Sequence, residues 1–283
     1  MANSPSPKGI AAIVGVGAKL GRSIARKFAH EGYTVAILAR DLGRLSRFAD
    51  EIAREEKAQV FAIRIDCSDS RSIKDAFEGV LSLGFVEVLV YNAYHPVSWT
   101  PTSFTGIRLD HFEKSLAVSS VGAFHCAQQV SQQHNFKLLV GKIFARVIND
   151  VIKLSGVAWM VDRGRGTILF TGCSASLNGI AGCGKFALRA LSQCLAREFQ
   201  PLGVHVAHVI IDGIVGAPRG SSTPSTSHQR SSTSSVGEQQ HSGGGDGYMD
   251  PDVLAQTYWQ LHVQDRSTWT QEMDLRPGGP RLY

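Results

Sequence analysis

Residues 10–40 read IAAIVGVGAKLGRSIARKFAHEGYTVAILAR, and this stretch decides the fold. It contains an apolar strand, a glycine-rich turn, an amphipathic helix and a second apolar strand that ends at Arg40. A unit of this kind is typical of nucleotide binding, because glycines let the backbone approach a phosphate and the following helix directs its N–H groups at an anion. We therefore predict a phosphate-binding turn at Gly15, Gly17 and Gly21.

Size and composition fit a single α/β domain. The chain has 283 residues, of which 43% are hydrophobic, and a formal net charge of +5. Its basic residues are scattered, which disfavours a nucleic-acid partner. Its five cysteines form no Cys-x-x-Cys pair, which argues against a zinc site and a disulfide framework and favours a reducing, cytoplasmic location. We therefore expect no metal. No segment resembles a signal peptide or a membrane span, so we also expect no membrane partner.

Strand and helix patterns alternate along most of the chain, which predicts a doubly wound parallel sheet between two layers of helices. In such a sheet, a ligand lies beyond the carboxyl ends of the strands. Helical spacing predicts helices over Phe186–Phe199 and Pro251–Val263, and we expect the end of the chain to be irregular. The predicted strands are Ile10–Val14, Thr34–Ala39, Val60–Ile65, Val86–Tyr91, Thr167–Thr171 and His205–Ile211.

Two segments interrupt this alternation within what we otherwise expect to be one domain over residues 1–283. Residues 131–159 lengthen one connection, and their apolar residues recur at helical spacing. This favours an added amphipathic helix or a helix extension over a partner-binding helix. Residues 220–247 are crowded with Ser, Thr, Gln and Gly. This composition favours a disordered insertion over an ordered lid.

From about Gly9 to Gly216 the chain resembles the short-chain dehydrogenase/reductase family. Gly15 and Gly21 match the outer glycines of the family signature, and Lys19 stands where its middle glycine belongs. The resemblance implies a Rossmann-like, three-layer αβα fold and an NAD or NADP cofactor. It also implies a small-molecule substrate, hydride transfer to or from a carbonyl or alcohol carbon, and assembly as a homo-oligomer.

The end of the second strand bears on the choice of cofactor. NAD-binding members usually place a carboxylate there, whereas this chain has Arg40, whose guanidinium suits a 2′-phosphate. We therefore favour NADP, while Asp41 keeps NAD possible. Lys19 could meet a phosphate or be a solvated turn lysine, and Asp66 could bind the adenine amino group or act as a helix N-cap. The predicted cofactor-binding residues are Gly15, Gly17, Lys19, Leu20, Gly21, Arg40, Asp66, Asn92 and Lys185.

The resemblance also implies a catalytic set of asparagine, serine, tyrosine and lysine. Lys185 matches the lysine, Cys173 stands at the serine and Ser119 at the asparagine. Ser174 is a possible replacement for the serine or a simple turn residue. Our predicted catalytic residues are therefore Lys185, Cys173, Ser174 and Ser119.

The tyrosine of that set is missing. Ala181 stands four residues before Lys185, and the interval from Cys173 to Lys185 is several residues shorter than is usual in the family. Nothing in the sequence brings Tyr91 or Tyr94 to Lys185. A lost acid/base group costs a factor of about 10² to 10⁴ in rate.

We therefore expect an NAD(P)-dependent oxidoreductase of the short-chain type, acting on a small carbonyl or alcohol with impaired turnover. Whether it is an active enzyme stays open. The alternatives are a catalytically inactive NADP(H)-binding protein and a product of aberrant splicing. The second alternative would explain both the added residues 131–159 and the shortened interval before Lys185.

Overall fold

The computed structural model describes residues 8–95, 106–131, 160–174, 182–216 and 248–278. The predicted insertion lies almost wholly outside the described residues, because only Ser131 of it is included. The predicted disordered segment 220–247 also lies outside them. Those two predictions therefore stay predictions.

A parallel sheet of seven strands forms the centre of the described structure, in the order β3-β2-β1-β4-β5-β6-β9. Every neighbouring pair in it is parallel. This arrangement confirms the predicted doubly wound sheet. Its strands are β1 (Ile10–Val14), β2 (Thr34–Ala39), β3 (Val60–Arg64), β4 (Val86–Tyr91), β5 (Gly166–Cys173), β6 (Val204–Ile211) and β9 (Glu272–Leu275). Two further short strands, β7 (Ile214–Val215) and β8 (Tyr248–Met249), pair with each other.

The end of the chain is not irregular as the sequence suggested, because Glu272–Leu275 forms the edge strand β9. It pairs in parallel with His208–Ile211 of β6. Its four residues include two acidic ones, which are poor strand formers on their own. The ladder with β6 therefore stabilises a segment that its own composition does not specify.

Helices cover both faces of the sheet. α1 directs Leu20, Ile24 and Phe28 into the core, where each is at most 7% exposed. The side chain of Asp250 caps the N-terminus of the helix Pro251–His262, which packs beside the helix Leu20–His30. The helices are α1 (Leu20–His30), α2 (Leu42–Glu56), α3 (Ser70–Ser82), α4 (Leu109–Leu116), α5 (Gly122–Ser131), α6 (Met160–Arg163), α7 (Cys183–Phe199) and α8 (Pro251–His262). A π-helical turn, Ala117–Val121, joins α4 to α5, and 3₁₀ turns lie at Gln200–Leu202 and Arg266–Thr268.

The strand order brings the carboxyl ends of β1, β4 and β5 side by side. The glycine turn follows β1, Asn92 follows β4, and Cys173 ends β5. Three segments that are far apart in sequence therefore meet at one edge of the sheet. Among the described residues, no helix combines the length and apolarity needed to cross a bilayer.

Candidate functional site

The glycine turn is fixed by direct contact with the residues after β4. Gly15 has a φ of +87°, and a Cβ atom there would lie 2.4 Å from the backbone nitrogen of Ala93. The Asn92 side chain donates from Nδ2 to the Gly15 carbonyl at 2.9 Å, and its backbone N–H donates to Val14 O at 2.8 Å. Only glycine satisfies both the backbone conformation and the close approach at position 15.

The same turn leaves room for a ligand. A Cβ at Gly17 would meet no atom of the described residues within 4 Å, whereas one at Gly21 would lie 2.9 Å from Val16 Cα. No side chain caps the N-terminus of α1 at Lys19. Open space beside uncapped helical N–H groups fits a pyrophosphate. Leu20 is 7% exposed in the core, so only its backbone is available to such a ligand.

Lys19 reaches across the edge of the sheet. Its Nζ donates to the carbonyl of Val215 in β7 at 2.7 Å, although the residue is exposed. The ammonium is therefore held beside the turn rather than simply solvated. A phosphate placed there would compete with one neutral carbonyl for this cation.

At the end of β2, Arg40 and Asp41 have different environments. The carboxylate of Asp41 accepts from the backbone N–H of Arg44 at 3.0 Å and so caps α2. Arg40 is exposed, and its guanidinium forms no ion pair within the described ranges. The cation is thus free to meet an anion, while the carboxylate that kept NAD possible is engaged in the helix cap.

Asp66 follows β3 and stabilises its own turn. Its carboxylate accepts from the Ser68 hydroxyl at 2.6 Å and from the Ser68 backbone at 2.9 Å. The Ser68 hydroxyl, then the Ser68 N–H, lower the pKa of Asp66. The N-cap of α3 is Asp69, which accepts from Arg71 N at 2.9 Å, so the alternative N-cap role for Asp66 is wrong.

Lys185 lies near the start of α7 and is buried, with 8% of its surface exposed. Its ammonium donates to the carbonyl of Thr171 in β5 at 2.7 Å. Burial lowers the pKa of Lys185 to about 8, against a smaller opposing effect of Cys173. The structure therefore brings Lys185 and Cys173, two of the predicted catalytic residues, to the carboxyl end of β5.

Ser119 and Ser174 are less directly connected. Ser119 is 1% exposed in the π-helical turn, and its neighbour Ser120 donates to the Gly184 carbonyl at 3.2 Å. A Cβ on Gly184 would lie 2.4 Å from Ser115 O, so α4 and α7 pack closely here. In the part of the chain that is described, no hydrogen bond joins Ser119 or Ser174 to Lys185.

The structure places one residue beside Lys185 that the sequence did not. The Nζ atom of Lys185 lies 5.9 Å from the ring centroid of Tyr94, whose side chain is 60% exposed. Tyr91, by contrast, is fully buried, and its hydroxyl donates to Val118 O. Tyr94 is therefore open to solvent, whereas Tyr91 lies in the core. Only the sheet order could have indicated this pairing, because it places the end of β4 next to β5.

This fold and site define a dinucleotide-binding α/β protein. A family profile described as short chain dehydrogenase matches residues 9–149. The structure of a short-chain dehydrogenase from Rhodopseudomonas palustris superimposes with a TM-score of 0.67 at 25% identity, over 95% of this chain and 98% of that one. The chain belongs to the short-chain dehydrogenase/reductase family of oxidoreductases.

Two further comparisons extend the similarity in sequence and in fold. Sorbitol-6-phosphate 2-dehydrogenase of Escherichia coli K12 is 26% identical over 211 residues, which is 74% of this chain and 73% of that protein. Other curated relatives are matched over about half of their own length. An alcohol dehydrogenase from Thermococcus sibiricus, solved with 5-hydroxy-NADP, has a TM-score of 0.70 at 22% identity and shares the fold over 98% of this chain and all of its own.

The burial of Lys185 predicts a pH-dependent stability. Its pKa falls from 10.5 in the unfolded chain to about 8 in the folded protein. From about pH 8 to 10.5 the unfolded chain therefore holds more protons, and the unfolding free energy of the wild type rises with pH. We expect the unfolding free energy of the wild type to rise by about 3 kcal/mol relative to that of Lys185→Met across this pH window.

Urea denaturation of both proteins at several pH values measures this difference. The lost bond to Thr171 O shifts the comparison by the same amount at every pH. Lys74→Met, on the exposed surface of α3, is the matched control and should show no such trend. If the difference in unfolding free energy between the wild type and Lys185→Met does not change with pH, Lys185 is not a buried ammonium with a lowered pKa.

Proposed function

We propose that this protein binds NADP(H) and interconverts a small carbonyl compound and its alcohol, with impaired turnover. The observation that carries the proposal is the fixed glycine turn at the carboxyl end of β1, together with the exposed Arg40 at the end of the neighbouring strand β2, which forms no ion pair with another described residue. The neighbour solved with 5-hydroxy-NADP supports the same cofactor. In the proposal the N–H groups of α1 face the pyrophosphate, Lys19 and Arg40 face phosphates, and Asp66 and Asn92 line the adenosine side.

The reduced nicotinamide supplies a hydride when it is bound. The chain's own task is then to hold the nicotinamide ribose and to stabilise charge on the substrate oxygen. Lys185 donates one hydrogen bond to Thr171 O, and its other two donors have no hydrogen-bond partner among the described residues, so they could serve the ribose and a neighbouring group. Cys173 or Ser174 would contact the substrate oxygen in this proposal, and Ser119 would support the lysine from the π-helical turn.

A catalytically silent binding protein is the second candidate, because Ala181 offers no hydroxyl at the position four residues before Lys185. Calorimetry with NADPH and loss of the reduced-nicotinamide absorbance over a panel of ketones and aldehydes separate the two. Binding with turnover supports the enzyme, and binding without turnover supports the silent protein. A chain from aberrant splicing would fail to fold, and a thermal melt with and without NADPH detects that outcome.

Arg40→Ala tests the choice of NADP. A charge-assisted hydrogen bond contributes about 1.5–3 kcal/mol, so we expect NADPH affinity to fall by about 10- to 100-fold while NADH affinity changes less than about twofold. Calorimetric titration of both dinucleotides measures this. Arg54→Ala, an exposed arginine at the other end of α2, is the matched control. Unchanged NADPH affinity in Arg40→Ala would refute the phosphate assignment.

The proposal includes a cytoplasmic location and a small homo-oligomer. No disulfide joins the five cysteines, all of which lie in the described part of the chain, and this suits a reducing compartment. Val121, Phe124 and Phe186 are each at least 40% exposed on neighbouring helical segments, which supports burial against a second copy. Sedimentation analysis of the purified protein tests the assembly, and a monomer at micromolar concentration would refute it.

A further inference from the structure

The proposed reaction needs a proton donor next to Lys185. Reduction of a carbonyl requires a proton at the oxygen when the hydride reaches the carbon. Ala181 cannot supply it, since a methyl group carries no exchangeable proton. The donor must therefore come from another part of the edge at which β1, β4 and β5 end.

The buried tyrosines are unsuited to this role. Tyr258 is fully buried, and its hydroxyl is paired with Thr171 Oγ1 at 2.8 Å. Tyr91 is fully buried and donates to Val118 O. Tyr33 is 4% exposed and is bonded to His262 Nε2 at 2.6 Å. None of these hydroxyls can meet a substrate without disruption of the core.

Tyr94 differs from them in both access and position. It is 60% exposed, and its ring centroid lies 5.9 Å from Lys185 Nζ. It follows Asn92 and Ala93, which contact Gly15 directly. Tyr94 therefore follows directly on the residues that fix the cofactor turn, and its ring lies near the buried ammonium. Exposed side chains change rotamer within nanoseconds, so the hydroxyl can turn toward a bound carbonyl without moving the backbone.

We propose that Tyr94 is the proton donor of this enzyme, supplied from the loop after β4 in place of the tyrosine missing before Lys185. This inference rests on the proposed function. A bound reduced nicotinamide would supply the hydride to the carbonyl carbon, and the C=O π pair would move to oxygen. The Tyr94 O–H bond would break as the new O–H bond of the alcohol forms. The phenolate then takes a proton from water, and the oxidised dinucleotide leaves.

Lys185 is suited to assist this step. Its ammonium is held by Thr171 O and lies over the Tyr94 ring, so a positive charge stands close to the ring that carries the phenolate. The low pKa of Lys185 shows that burial makes this charge costly, and a neighbouring phenolate would offset that cost. Cys173 is the competing donor, but a thiol donates a weaker hydrogen bond than a phenol.

Tyr94→Phe tests the proposal in the full-length protein. We expect kcat to fall by about 10²- to 10⁴-fold while NADPH affinity and substrate KM change less than about threefold. Tyr248→Phe is the matched control, since Tyr248 is 57% exposed in β8 and has no role in the proposed site. Cys173→Ala should retain more activity than Tyr94→Phe. Unchanged kcat in Tyr94→Phe would overturn the inference.

A second measurement needs no turnover. In a Tyr248→Phe/Tyr283→Phe background, tetranitromethane should nitrate Tyr94 selectively, because Tyr33, Tyr91 and Tyr258 are buried. Nitrophenol ionises near neutral pH, where Lys185 is still charged, and the change is visible by absorbance. We expect Lys185→Met to raise the pH of that transition by about one unit, from a unit charge 5.9 Å away.

The outcomes separate the two claims. If Lys185→Met does not change the pH midpoint of the nitrotyrosine transition, the inference about Tyr94 is overturned, while the proposed function is unaffected. A wild type that binds NADPH but reduces no carbonyl would refute the proposed enzyme and, with it, the catalytic role of Tyr94. Nitrated Tyr248, in a Tyr94→Phe/Tyr283→Phe background, should show no dependence on Lys185 and so controls for general changes in charge.

Discussion

Gly15→Val is expected to abolish NADPH binding and to destabilise the fold. At a φ of +87°, a β-branched residue costs about 1–3 kcal/mol in backbone strain. Its Cβ would also lie 2.4 Å from Ala93 N, so the turn must move away from the end of β4. We expect a loss of affinity of more than about 100-fold, measured by calorimetry, together with a lower midpoint in urea.

Gly17→Ala separates binding from stability in the same turn. Within the described part of the chain, no atom lies within 4 Å of the added Cβ. The fold should therefore tolerate the methyl group, whereas a pyrophosphate in that space should not. Gly79→Ala in α3, where the added Cβ makes only an ordinary contact of 3.8 Å, is the control and should change neither property unfavourably. If Gly15→Val keeps the full NADPH affinity of the wild type, the glycine turn is not the dinucleotide-binding site.

Lys185→Met is expected to remove nearly all turnover while it relieves the cost of a buried charge. The Lys185 ammonium lies at the end of β5, where it is bound to Thr171 O. In the proposed site, its loss removes charge stabilisation at the substrate oxygen and a contact to the ribose. We expect kcat/KM to fall by about 10²- to 10⁴-fold. Steady-state reduction of a ketone substrate measures it.

The stability of this variant makes the test specific. Because Lys185→Met removes a pKa shift that costs the folded state free energy at neutral pH, loss of turnover cannot be ascribed to unfolding if the melting curve is retained. Lys185→Arg keeps the charge and should recover only part of the rate, since a guanidinium differs in shape and donor geometry. If Lys185→Met turns over substrate as fast as the wild type, Lys185 has no role in the mechanism.

The first βαβ unit could be predicted from the sequence almost to the residue. Ile10–Val14 and Thr34–Ala39 are short apolar runs, and the periodicity of Leu20, Ile24 and Phe28 defines the helix between them. Local patterns suffice there because each element buries its own apolar face. The β9 strand had no such signal, since two of its four residues are acidic and its pairing with β6 is a long-range contact.

The candidate site was predictable only in part, for the same reason. Gly15 and Lys185 carry motif signals, and the structure places both at the carboxyl edge of the sheet. The proximity of Tyr94 to Lys185 has no signal in the sequence, because the two lie 91 positions apart. Only the adjacency of β4 and β5 in the sheet brings them together. The engagement of Asp41 in a helix cap likewise depends on the exact start of α2.

Calorimetric titration of the folded wild type with NADPH tests the central claim, that the turn from Gly15 to Gly21 binds the pyrophosphate of a nicotinamide dinucleotide. We predict saturable binding to one site per chain, weakened at least about tenfold in Gly17→Ala without loss of unfolding free energy. A folded wild type that gives no binding heat with NADPH or NADH, and no thermal stabilisation by either, would contradict it.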